Sequence, residues 1–300
     1  MYDIIIIGAG PAGLTSAIYA RRAKKNVLVL EALSYGGQII NTLSIENYPG
    51  LPNVSGFDFA TILYNQAKDL GAEVRFEKVL NIEDGKIKKV NTSKGSYEGK
   101  TVIIATGCEN RKLGIDLEEE LTGRGVSYCA TCDGNFYKGK AVAVVGSGNS
   151  ALDDALYLSD IASKVYLINK KDVFTGEKAI LDLIKEKDNV EIIYNSSVTK
   201  LIGKEKIEGI EINNESVIDV AGVFVAVGRV PENENFRKLI EINDKGYIVS
   251  SENCHTNVSG IFVAGDCRVK RLRQLVTATS DGAMAATEAI KYINKEDKNV

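Results

Sequence analysis

Residues 3–13 read Asp-Ile-Ile-Ile-Ile-Gly-Ala-Gly-Pro-Ala-Gly, an apolar run that ends in a glycine-rich turn. An alanine-rich stretch follows, and then a second apolar run, Val27 to Leu30, closes with Glu31. Strand, turn, helix and strand in this order predict a βαβ unit. The glycines let the backbone approach a pyrophosphate at the helix N-terminus, and the acid suits ribose hydroxyls. This stretch therefore predicts a dinucleotide-binding site and an α/β fold.

The same pattern occurs again near the middle of the chain. The apolar run Ala141 to Val145 enters residues 146–151, Gly-Ser-Gly-Asn-Ser-Ala, and a helical stretch through Leu158 leads to a strand, Lys164 to Ile168. Alanine at the third glycine position still allows the helix to pack closely on the strand. One chain with two such units predicts two nucleotide cofactors.

The strand that ends the second unit differs at its tip from the first. Where the first unit has Glu31, the second has Asn169-Lys170-Lys171. An acid at this point binds a 2′-hydroxyl, whereas two cations can pair with a 2′-phosphate. The tip therefore favours NADPH over NADH, and the alternative is that both lysines are ordinary surface residues.

The overall composition has no strong charge bias. Of the 300 residues, 44% are hydrophobic and 26% are charged, and this length favours about two domains. A net charge of −3 gives no electrostatic reason to expect nucleic acid or an anionic membrane as a partner. No apolar run approaches the roughly 18 residues that cross a bilayer. With scattered cysteines and no export signal, the expected location is cytoplasmic.

Two thiols lie close together in Cys129-Ala130-Thr131-Cys132-Asp133. A zinc site is one interpretation, but it needs four ligands, and His255 is the single histidine of the chain. A merely buried pair is a second interpretation, and it fits poorly with polar, glycine-flanked sequence. The other cysteines are interpreted as packing residues: Cys108, Cys254 and Cys267.

The third interpretation, a redox pair, agrees with the two nucleotide units. A nicotinamide would give hydride, a flavin would accept it, and the dithiol would pass the electrons to a protein disulfide. Asp133 would then exchange protons with a departing thiolate. The polar stretch 109–120 marks a candidate link between domains.

The remaining elements complete the expected flavin domain. The predicted elements are a helix over Phe57 to Leu70, a β-meander over 74–104, a buried strand and turn over Thr101 to Gly107, strands over 190–227, a strand over Ile261 to Asp266, and a helix from about Arg273 to Ile293. Asp266 could accept hydrogen bonds from flavin hydroxyls. The N-terminus of the last helix could present N–H groups to a flavin ring that gains negative charge on reduction.

Taken together, the motifs resemble those of the low-molecular-weight thioredoxin reductases, in the same order and over essentially the whole chain. The motifs are GAGPAG, GGQ, ENYPG, ATG, CATCD, GSGNSA, the G-x-x-P of Gly228 to Pro231, AGD and RQLVTATSDG. The resemblance implies an α/β protein with two Rossmann-like nucleotide-binding domains, each with a central parallel sheet and an antiparallel β-meander. The FAD domain would be discontinuous, over 1–112 and 245–300, and an inserted NAD(P)H domain over 113–244 would carry the dithiol.

The resemblance also implies roles for single residues in a homodimer whose domains rotate. Cys132 would lie beside the flavin, Cys129 would attack thioredoxin or a thioredoxin-like protein, and Asp133 would be the acid/base. The implied FAD contacts are Gly8, Gly10, Pro11, Ala12, Gly13, Glu31, Gly37, Gln38, Asn47, Gly107, Gly265, Asp266, Arg273 and Gln274. The implied NADPH contacts are Gly146, Gly148, Asn149, Ser150, Lys170, Lys171, Gly228 and Arg229. No metal is expected.

One motif departs from the family. Members usually carry His-Arg-Arg at the tip of the second unit with a further arginine beyond, where this chain has Asn169, Lys170, Lys171 and Thr175. Lysine lacks the bidentate fork of arginine, so phosphate binding would be weaker. NADPH remains the expected donor, and NADH, ferredoxin or a deazaflavin are the alternatives. A flavin-loaded redox sensor that binds a partner without turnover is the alternative from a different functional class.

Overall fold

The computed structural model describes residues 1–42, 44–51 and 53–298. The strands, in chain order, are β1 (Tyr2–Ile7), β2 (Val27–Glu31), β3 (Glu73–Phe76), β4 (Val79–Glu83), β5 (Lys88–Thr92), β6 (Ser96–Ile104), β7 (Glu109–Asn110), β8 (Val126–Ser127), β9 (Ala141–Val145), β10 (Lys164–Ile168), β11 (Val190–Ile193), β12 (Val198–Gly203), β13 (Ile207–Ile212), β14 (Ser216–Asp219), β15 (Gly222–Val225), β16 (Arg229–Val230) and β17 (Ile261–Val263). The helices are α1 (Pro11–Arg22), α2 (Gly56–Asp69), α3 (Ala130–Asp133), α4 (Asn149–Ser159), α5 (Lys178–Lys185) and α6 (Leu275–Glu296), with 3-10 turns at Gly37–Asn41, Gly134–Tyr137 and Glu234–Phe236.

The chain forms two compact units. Unit 1 comprises Met1–Glu109 with Val230–Val300, and unit 2 comprises Asn110–Arg229. The chain re-enters unit 1 at Val230, before the domain boundary at 244/245 that was predicted from the sequence. Phe236 and Ile240 already belong to unit 1, because both are buried among the core residues of its sheet. The short strands β7 and β16 pair with each other in a two-stranded sheet.

Unit 1 is built on one mixed sheet. The strands β3, β2, β1, β6 and β17 are parallel neighbours, and β4, β5 and β6 form an antiparallel meander. The prediction of a meander over 74–104 was therefore wrong at its start, since β3 pairs with β2 in parallel. The four residues of β3 contain no local sequence pattern that would indicate which strand they pair with.

The alternation of side chains along β1 divides the core of unit 1 into two layers. Ile4 and Ile6 pack with residues of α1 and α6 on one face. Ile5 and Ile7 pack with Val90 of the meander on the other face. A parallel strand that is covered on both faces reads as a continuous apolar run, which is the pattern of residues 4–7.

Unit 2 repeats the arrangement. The strands β11, β10, β9, β15 and β8 form a parallel sheet, and β12, β13 and β14 form a separate antiparallel meander. Asn213 and Asn214, with φ of 55° and 59°, form the turn between β13 and β14, and Gly209 lies inside β13. The fold class, two Rossmann-like units that each carry a parallel sheet and a meander, is confirmed. Over the described ranges, no helix is long and apolar enough to cross a membrane.

Candidate active site

The first glycine-rich turn connects β1 to α1. Gly8 has a φ of +108°, and a Cβ there would lie 2.3 Å from the carbonyl oxygen of Ala105. A Cβ on Gly13 would lie 1.9 Å from the carbonyl oxygen of Gly8. By contrast, a Cβ placed on Gly10 would have no described atom within 4 Å, apart from those of the two adjacent residues. The protein's own packing requires two of the glycines, and the third keeps open a space that a pyrophosphate fits.

Helix α1 begins in this turn without a side-chain cap. Gly10 is the N-cap residue and makes no side-chain hydrogen bond to the helix, and Pro11 occupies the first helical position. The backbone N–H groups of the first turn have no intrahelical acceptors, and a phosphate can accept from them. Ala12 is buried, and its Cβ would lie 2.9 Å from a Cβ on Gly265.

Glu31 ends β2 beside the turn. Its Oε2 accepts the Ala9 N–H at 2.8 Å, and its Oε1 accepts the Leu33 N–H at 2.9 Å. A carboxylate has about four acceptor positions, so two backbone bonds leave capacity for ribose hydroxyls. The sequence predicted Glu31 as a ribose-binding acid, and in the structure its carboxylate contacts the backbone of the glycine-rich turn.

Two further predicted turns border the same loop. The Gly36 N–H donates to the Ala9 carbonyl at 2.8 Å, and a Cβ on Gly37 would lie 3.4 Å from the Cα of Gly10. Gln38 follows in the 3-10 turn and is exposed. On the other side, β6 leads into the turn of Gly107, whose φ is +71°.

The segment after β17 completes this end of the sheet. Gly265 has a φ of +83°, and Asp266 follows it in a half-buried position. Arg273 donates to the backbone carbonyls of Asp266, Arg268 and Lys270 at 3.1–3.3 Å. Its guanidinium therefore holds the loop together from within. The side-chain amide of Asn47 donates to Oε1 of Gln274 at 3.1 Å. Two of the residues predicted to bind FAD therefore contact each other.

A buried ionic cluster holds the Gly265 turn against α6. Asp281 accepts the Gly265 N–H at 3.0 Å, the Arg268 guanidinium at 2.8 and 2.9 Å, and the Lys270 ammonium at 2.9 Å. Asp281 belongs to the RQLVTATSDG motif, but no role was predicted for it from the sequence. A signal was present, because Asp281, Ala285 and Ala289 follow one another at four-residue spacing on the buried face of α6.

The cysteine pair lies in unit 2 and is joined as a disulfide. The Cys129 and Cys132 sulfurs are 2.10 Å apart. Cys129 is the N-cap of the one-turn helix α3, and its carbonyl accepts the N–H groups of Cys132 and Asp133 at 3.2 and 3.1 Å. Ala130 is fully buried. The short helix thus anchors the ring of the disulfide while both sulfur-bearing residues remain partly exposed.

Asp133 is a half-buried carboxyl next to the disulfide. Burial raises its pKa, and a hydrogen bond from the Ser127 hydroxyl to Oδ2, 2.6 Å long, acts in the opposite direction. The pKa remains raised overall, so the carboxyl holds a proton to higher pH than an exposed aspartate does. An acid of this kind can give a proton to a thiolate leaving group.

The second glycine-rich turn has the same construction as the first. Gly146 has a φ of +155°, and a Cβ there would lie 2.4 Å from the Ala226 carbonyl oxygen and 2.9 Å from the Cβ of Ala151. A Cβ on Gly148 would meet only Oγ1 of Thr175, at 3.9 Å. Gly148 caps α4 without a side-chain hydrogen bond. The loop therefore offers the same fit to a dinucleotide phosphate.

The tip of β10 is shaped by Asn169, which is fully buried. Its Nδ2 donates to the Val173 carbonyl at 2.8 Å, and its Oδ1 accepts the Lys171 N–H at 3.0 Å. Lys170 and Lys171 are exposed on this fixed loop. Thr175 donates its N–H to the Ser147 carbonyl at 2.8 Å, so the loop returns to the second glycine turn.

Other predicted nucleotide contacts surround the start of α4. Asn149 accepts the Glu177 N–H through Oδ1 at 2.7 Å and donates to the Glu177 carboxylate at 3.2 Å. Ser150 is exposed beside it. Glu177, an acid that lies against the predicted site, was not among the residues predicted from the sequence.

The predicted pair Gly228-Arg229 follows β15. Gly228 has a φ of +113°, and no described neighbour approaches a Cβ placed there. Arg229 lies near Asp154 of α4, whose pKa burial raises to about 7, with Asp153 adding to the rise and Arg229 opposing it. This half-buried acid was also missed.

His255 and the remaining cysteines lie away from the disulfide in sequence. His255 is exposed, and its Nε2 lies 3.0 Å from Oε2 of Glu288. Cys254 and Cys267 are buried free thiols, and burial raises the pKa of Cys254 to about 12. Cys108 is half-buried and lies outside the disulfide. Across the part of the chain that the structure describes, no group of three or more His, Cys, Asp or Glu side chains could hold a metal ion.

Comparison with known proteins agrees with this arrangement. A sequence profile for pyridine nucleotide-disulphide oxidoreductases matches residues 2–282. The chain is 43% identical over 302 residues to the thioredoxin reductase of Listeria monocytogenes, covering 98% of this chain and 95% of the relative. The chain belongs to the thioredoxin reductase family. As a member of the family it is a flavoprotein disulfide oxidoreductase with a flavin cofactor and a pyridine nucleotide donor.

Solved structures of thioredoxin reductases are similar over nearly the whole chain. The crystal structure from Streptococcus pyogenes is 39% identical, has a TM-score of 0.93, and is matched over 98% of this chain and 99% of its own. A ferredoxin-flavin thioredoxin reductase from Clostridium acetobutylicum is 32% identical, has a TM-score of 0.54, and is matched over 98% of both chains.

Proposed function

We propose that the protein reduces the disulfide of thioredoxin, or of a thioredoxin-like protein, with electrons that pass from NADPH through FAD to Cys129 and Cys132. The observation that carries the proposal is the Cys129–Cys132 disulfide, which lies in the same unit as the open glycine turn of Gly148. Asp133, a carboxyl with a raised pKa, adjoins the pair. A redox disulfide needs an electron source and a proton source, and these residues fit both requirements.

Residues of unit 1 would hold FAD. The pyrophosphate would lie at Gly10 and the first turn of α1, Glu31 would accept ribose hydroxyls, and Asp266 would accept flavin hydroxyls. The remaining assigned contacts border the same end of the sheet: Gly8, Pro11, Ala12, Gly13, Gly37, Gln38, Asn47, Gly107, Gly265, Arg273 and Gln274. When bound, the flavin takes up hydride from the nicotinamide and delivers the electron pair to the disulfide.

Residues of unit 2 would hold NADPH. The pyrophosphate would lie at Gly148 and the start of α4, and Lys170 and Lys171 would pair with the 2′-phosphate. The rigid loop capped by Asn169 supports this assignment, because it fixes the backbone from which both lysines extend. The remaining assigned contacts are Gly146, Asn149, Ser150, Gly228 and Arg229.

The reduced cysteine pair would exchange its electrons with the partner in two steps. The Cys129 thiolate attacks one sulfur of the partner's disulfide, and the other partner sulfur leaves and takes a proton from Asp133. The Cys132 thiolate then attacks the Cys129 sulfur of the mixed disulfide, which releases the second partner thiol and restores the Cys129–Cys132 disulfide. Cys132 resolves the intermediate because it stands one helical turn from Cys129.

The assembly we propose is a homodimer that works in the cytoplasm, a compartment where a dithiol can be kept cycling. Exposed apolar side chains on two helices of unit 1 support the dimer: Phe57 and Ile62 of α2, and Val276 and Met284 of α6. Sedimentation of the flavin-loaded protein tests this assembly, and a monomer at micromolar concentration would contradict it.

The test of the proposed reaction is anaerobic reduction of the flavin-loaded protein, followed by addition of oxidised thioredoxin. NADPH should bleach the flavin, and thioredoxin should then be reduced. Cys129→Ser should keep flavin binding and its reduction by NADPH but lose thioredoxin turnover, while Cys108→Ser, at a cysteine outside the disulfide, should retain turnover. Turnover in Cys129→Ser would contradict the dithiol mechanism, and bleaching without thioredoxin reduction in the wild type would indicate a redox sensor.

A different electron donor is the second candidate. It is favoured by Lys170 and Lys171 at a point where the family carries arginines, and by the 32% identity to a ferredoxin-flavin thioredoxin reductase. Reduced ferredoxin, NADH and a reduced deazaflavin are compared with NADPH in the same assay. Bleaching by one of these and not by NADPH would overturn the NADPH assignment while leaving the dithiol chemistry intact.

A further inference from the structure

Ser127 is a buried serine at the end of β8, only 3% exposed. Its strand pairs with β15, and Ser127 lies opposite Phe224 in that register. The backbone of Ser127 is therefore fixed by the central sheet of unit 2, two residues before the first cysteine. A hydroxyl at this point cannot turn into solvent, so its hydrogen bonds are set by its protein neighbours.

The Ser127 hydroxyl connects the cysteine turn to the acid. Its O–H donates to Oδ2 of Asp133 at 2.6 Å, and its oxygen accepts the N–H of Cys129 at 3.1 Å. A hydroxyl has one proton to donate and two lone pairs to accept with, so both bonds form at once. The carbonyl of Cys129 in turn accepts the Asp133 N–H at 3.1 Å. Ser127, Cys129 and Asp133 thus form a closed ring of hydrogen bonds.

Two tyrosines lie close to Asp133 or to the residue after it, Tyr137 and Tyr157. Tyr137, on the 3-10 turn after α3, has a pKa raised by burial and by the charge of Asp133. The ring of Tyr157 on α4 lies beside Gly134, 3.0 Å from where a Cβ would stand. Burial and the Ser127 hydroxyl are the two causes that act on the proton affinity of Asp133.

We propose that Ser127 is a positioning residue for the dithiol exchange: its hydroxyl holds the Asp133 carboxyl against the Cys129–Cys132 turn in the orientation required for proton transfer. This inference rests on the proposed function, in which Asp133 is the proton donor. The ring of hydrogen bonds carries it, because one oxygen fixes both the carboxylate and the backbone of the attacking cysteine.

Removal of the hydroxyl should have two separable effects. The carboxyl loses a fixed orientation, so the rate of proton transfer falls at every pH. The ionised carboxylate also loses a donor, so the pKa of Asp133 rises further. Because the protonated acid is the active form, the alkaline limb of the rate profile should move to higher pH. A general loss of packing would lower the rate without moving this limb.

The test uses the flavin-loaded protein, reduced with NADPH and mixed with oxidised thioredoxin between pH 5.5 and 9.5 in a stopped-flow instrument. For Ser127→Ala we expect about a tenfold lower rate at the optimum and an alkaline limb shifted upward by about one pH unit. Ser127→Thr retains the hydroxyl and should recover both values. Ser159→Ala is the matched control, since Ser159 is also a buried serine of unit 2, 8% exposed, and its hydroxyl donates to the Leu156 carbonyl.

Two results would overturn the inference alone. One is a Ser127→Ala profile that coincides with the wild type, and the other is an equal loss in Ser127→Ala and Ser127→Thr with no movement of the limb. An Asp133→Asn variant with the wild-type rate and profile would instead remove Asp133 from the proposed reaction, and the role of Ser127 with it. Retained flavin and disulfide in each variant confirm that the site has folded.

Discussion

The carbonyl oxygen of Ala105 lies 2.3 Å from the position that a Cβ of Gly8 would occupy. Gly8 also has a φ of +108°, a conformation that costs any other residue about 1–3 kcal/mol. We therefore expect Gly8→Ala to lower the free energy of unfolding of the flavin-free protein by about 3 kcal/mol or more, measured by urea denaturation.

Gly10 provides the matched variant two residues further on. A Cβ there meets no described neighbour within 4 Å, and its φ is −77°. Gly10→Ala should lower the stability of the flavin-free protein by no more than about 1 kcal/mol, the usual cost of alanine in place of glycine at an N-cap, yet weaken FAD binding at least about tenfold in a titration. Wild-type FAD affinity in Gly10→Ala would show that the pyrophosphate does not lie on this loop.

Asp281→Asn should destabilise unit 1 through the cations it leaves behind. The Arg268 and Lys270 side chains are 8% and 7% exposed, and removal of one partner from a buried ionic cluster costs about 3–5 kcal/mol. Urea denaturation measures the loss. Asp160→Asn is the control, because Asp160 forms an ion pair with Lys187 at the surface and is 69% exposed; pairs of this kind contribute little. Equal effects of the two substitutions would contradict the importance of the cluster.

The same cluster predicts a pH dependence of stability. Burial alone would raise the pKa of Asp281, but the hydrogen bonds and charges of Arg268 and Lys270 outweigh it and lower the pKa. A carboxyl with a lowered folded-state pKa contributes its full stabilisation above the unfolded-state pKa of about 4. The contribution is lost as the pH falls through the folded-state value. The free energy of unfolding of the wild type should therefore fall more steeply than that of Asp281→Asn below about pH 4. Parallel curves of unfolding free energy against pH for the two proteins would contradict this.

The lysines at the tip of β10 should determine the preference between NADPH and NADH. Lys170→Gln and Lys171→Gln together remove charge-assisted hydrogen bonds worth about 1.5–3 kcal/mol each, so KM for NADPH should rise at least about tenfold while KM for NADH stays the same. Lys164→Gln is the control, since Lys164 lies at the opposite end of the same strand and pairs with Glu191. A parallel rise for both nucleotides would show that the lysines do not recognise the phosphate.

Thr175 offers a gain-of-affinity test of the same site. Its hydroxyl is the nearest side-chain atom to a Cβ on Gly148, at 3.9 Å. Thr175→Arg should add a bidentate fork beside the second glycine turn and lower KM for NADPH. An unchanged KM would place the 2′-phosphate away from this loop.

The sequence predicted those parts of the protein that depend on neighbours in the chain. Both glycine turns, their flanking strands and the cysteine pair follow from spacing within 30 residues or so, which is the length of a βαβ unit. The burial of Ile4 to Ile7 on both faces of the sheet was visible as an uninterrupted apolar run. Glu31 could be placed because the length of the βαβ unit fixes where its second strand ends.

The features that the sequence did not predict depend on partners distant in the chain. The choice of β2 as the partner of β3, and the burial of Phe236 and Ile240 in unit 1, are set by tertiary packing. Asp281 meets Gly265 across 16 residues and two elements. Ser127 was overlooked because a single serine before a cysteine carries no pattern until the turn folds and brings Asp133 back to it.

The packing of α6 on α1 has a consequence for biosynthesis. The Ser16 hydroxyl donates to the Gly282 carbonyl, although 266 positions separate the two residues. The ribosome must therefore add 266 residues after Ser16 before the first glycine turn obtains its covering helix. Unit 2 is continuous and can fold during translation, but the nascent amino-terminal strands keep an apolar face uncovered throughout that time. The yield of flavin-competent protein in a cell should therefore depend on the chaperones that shield this segment.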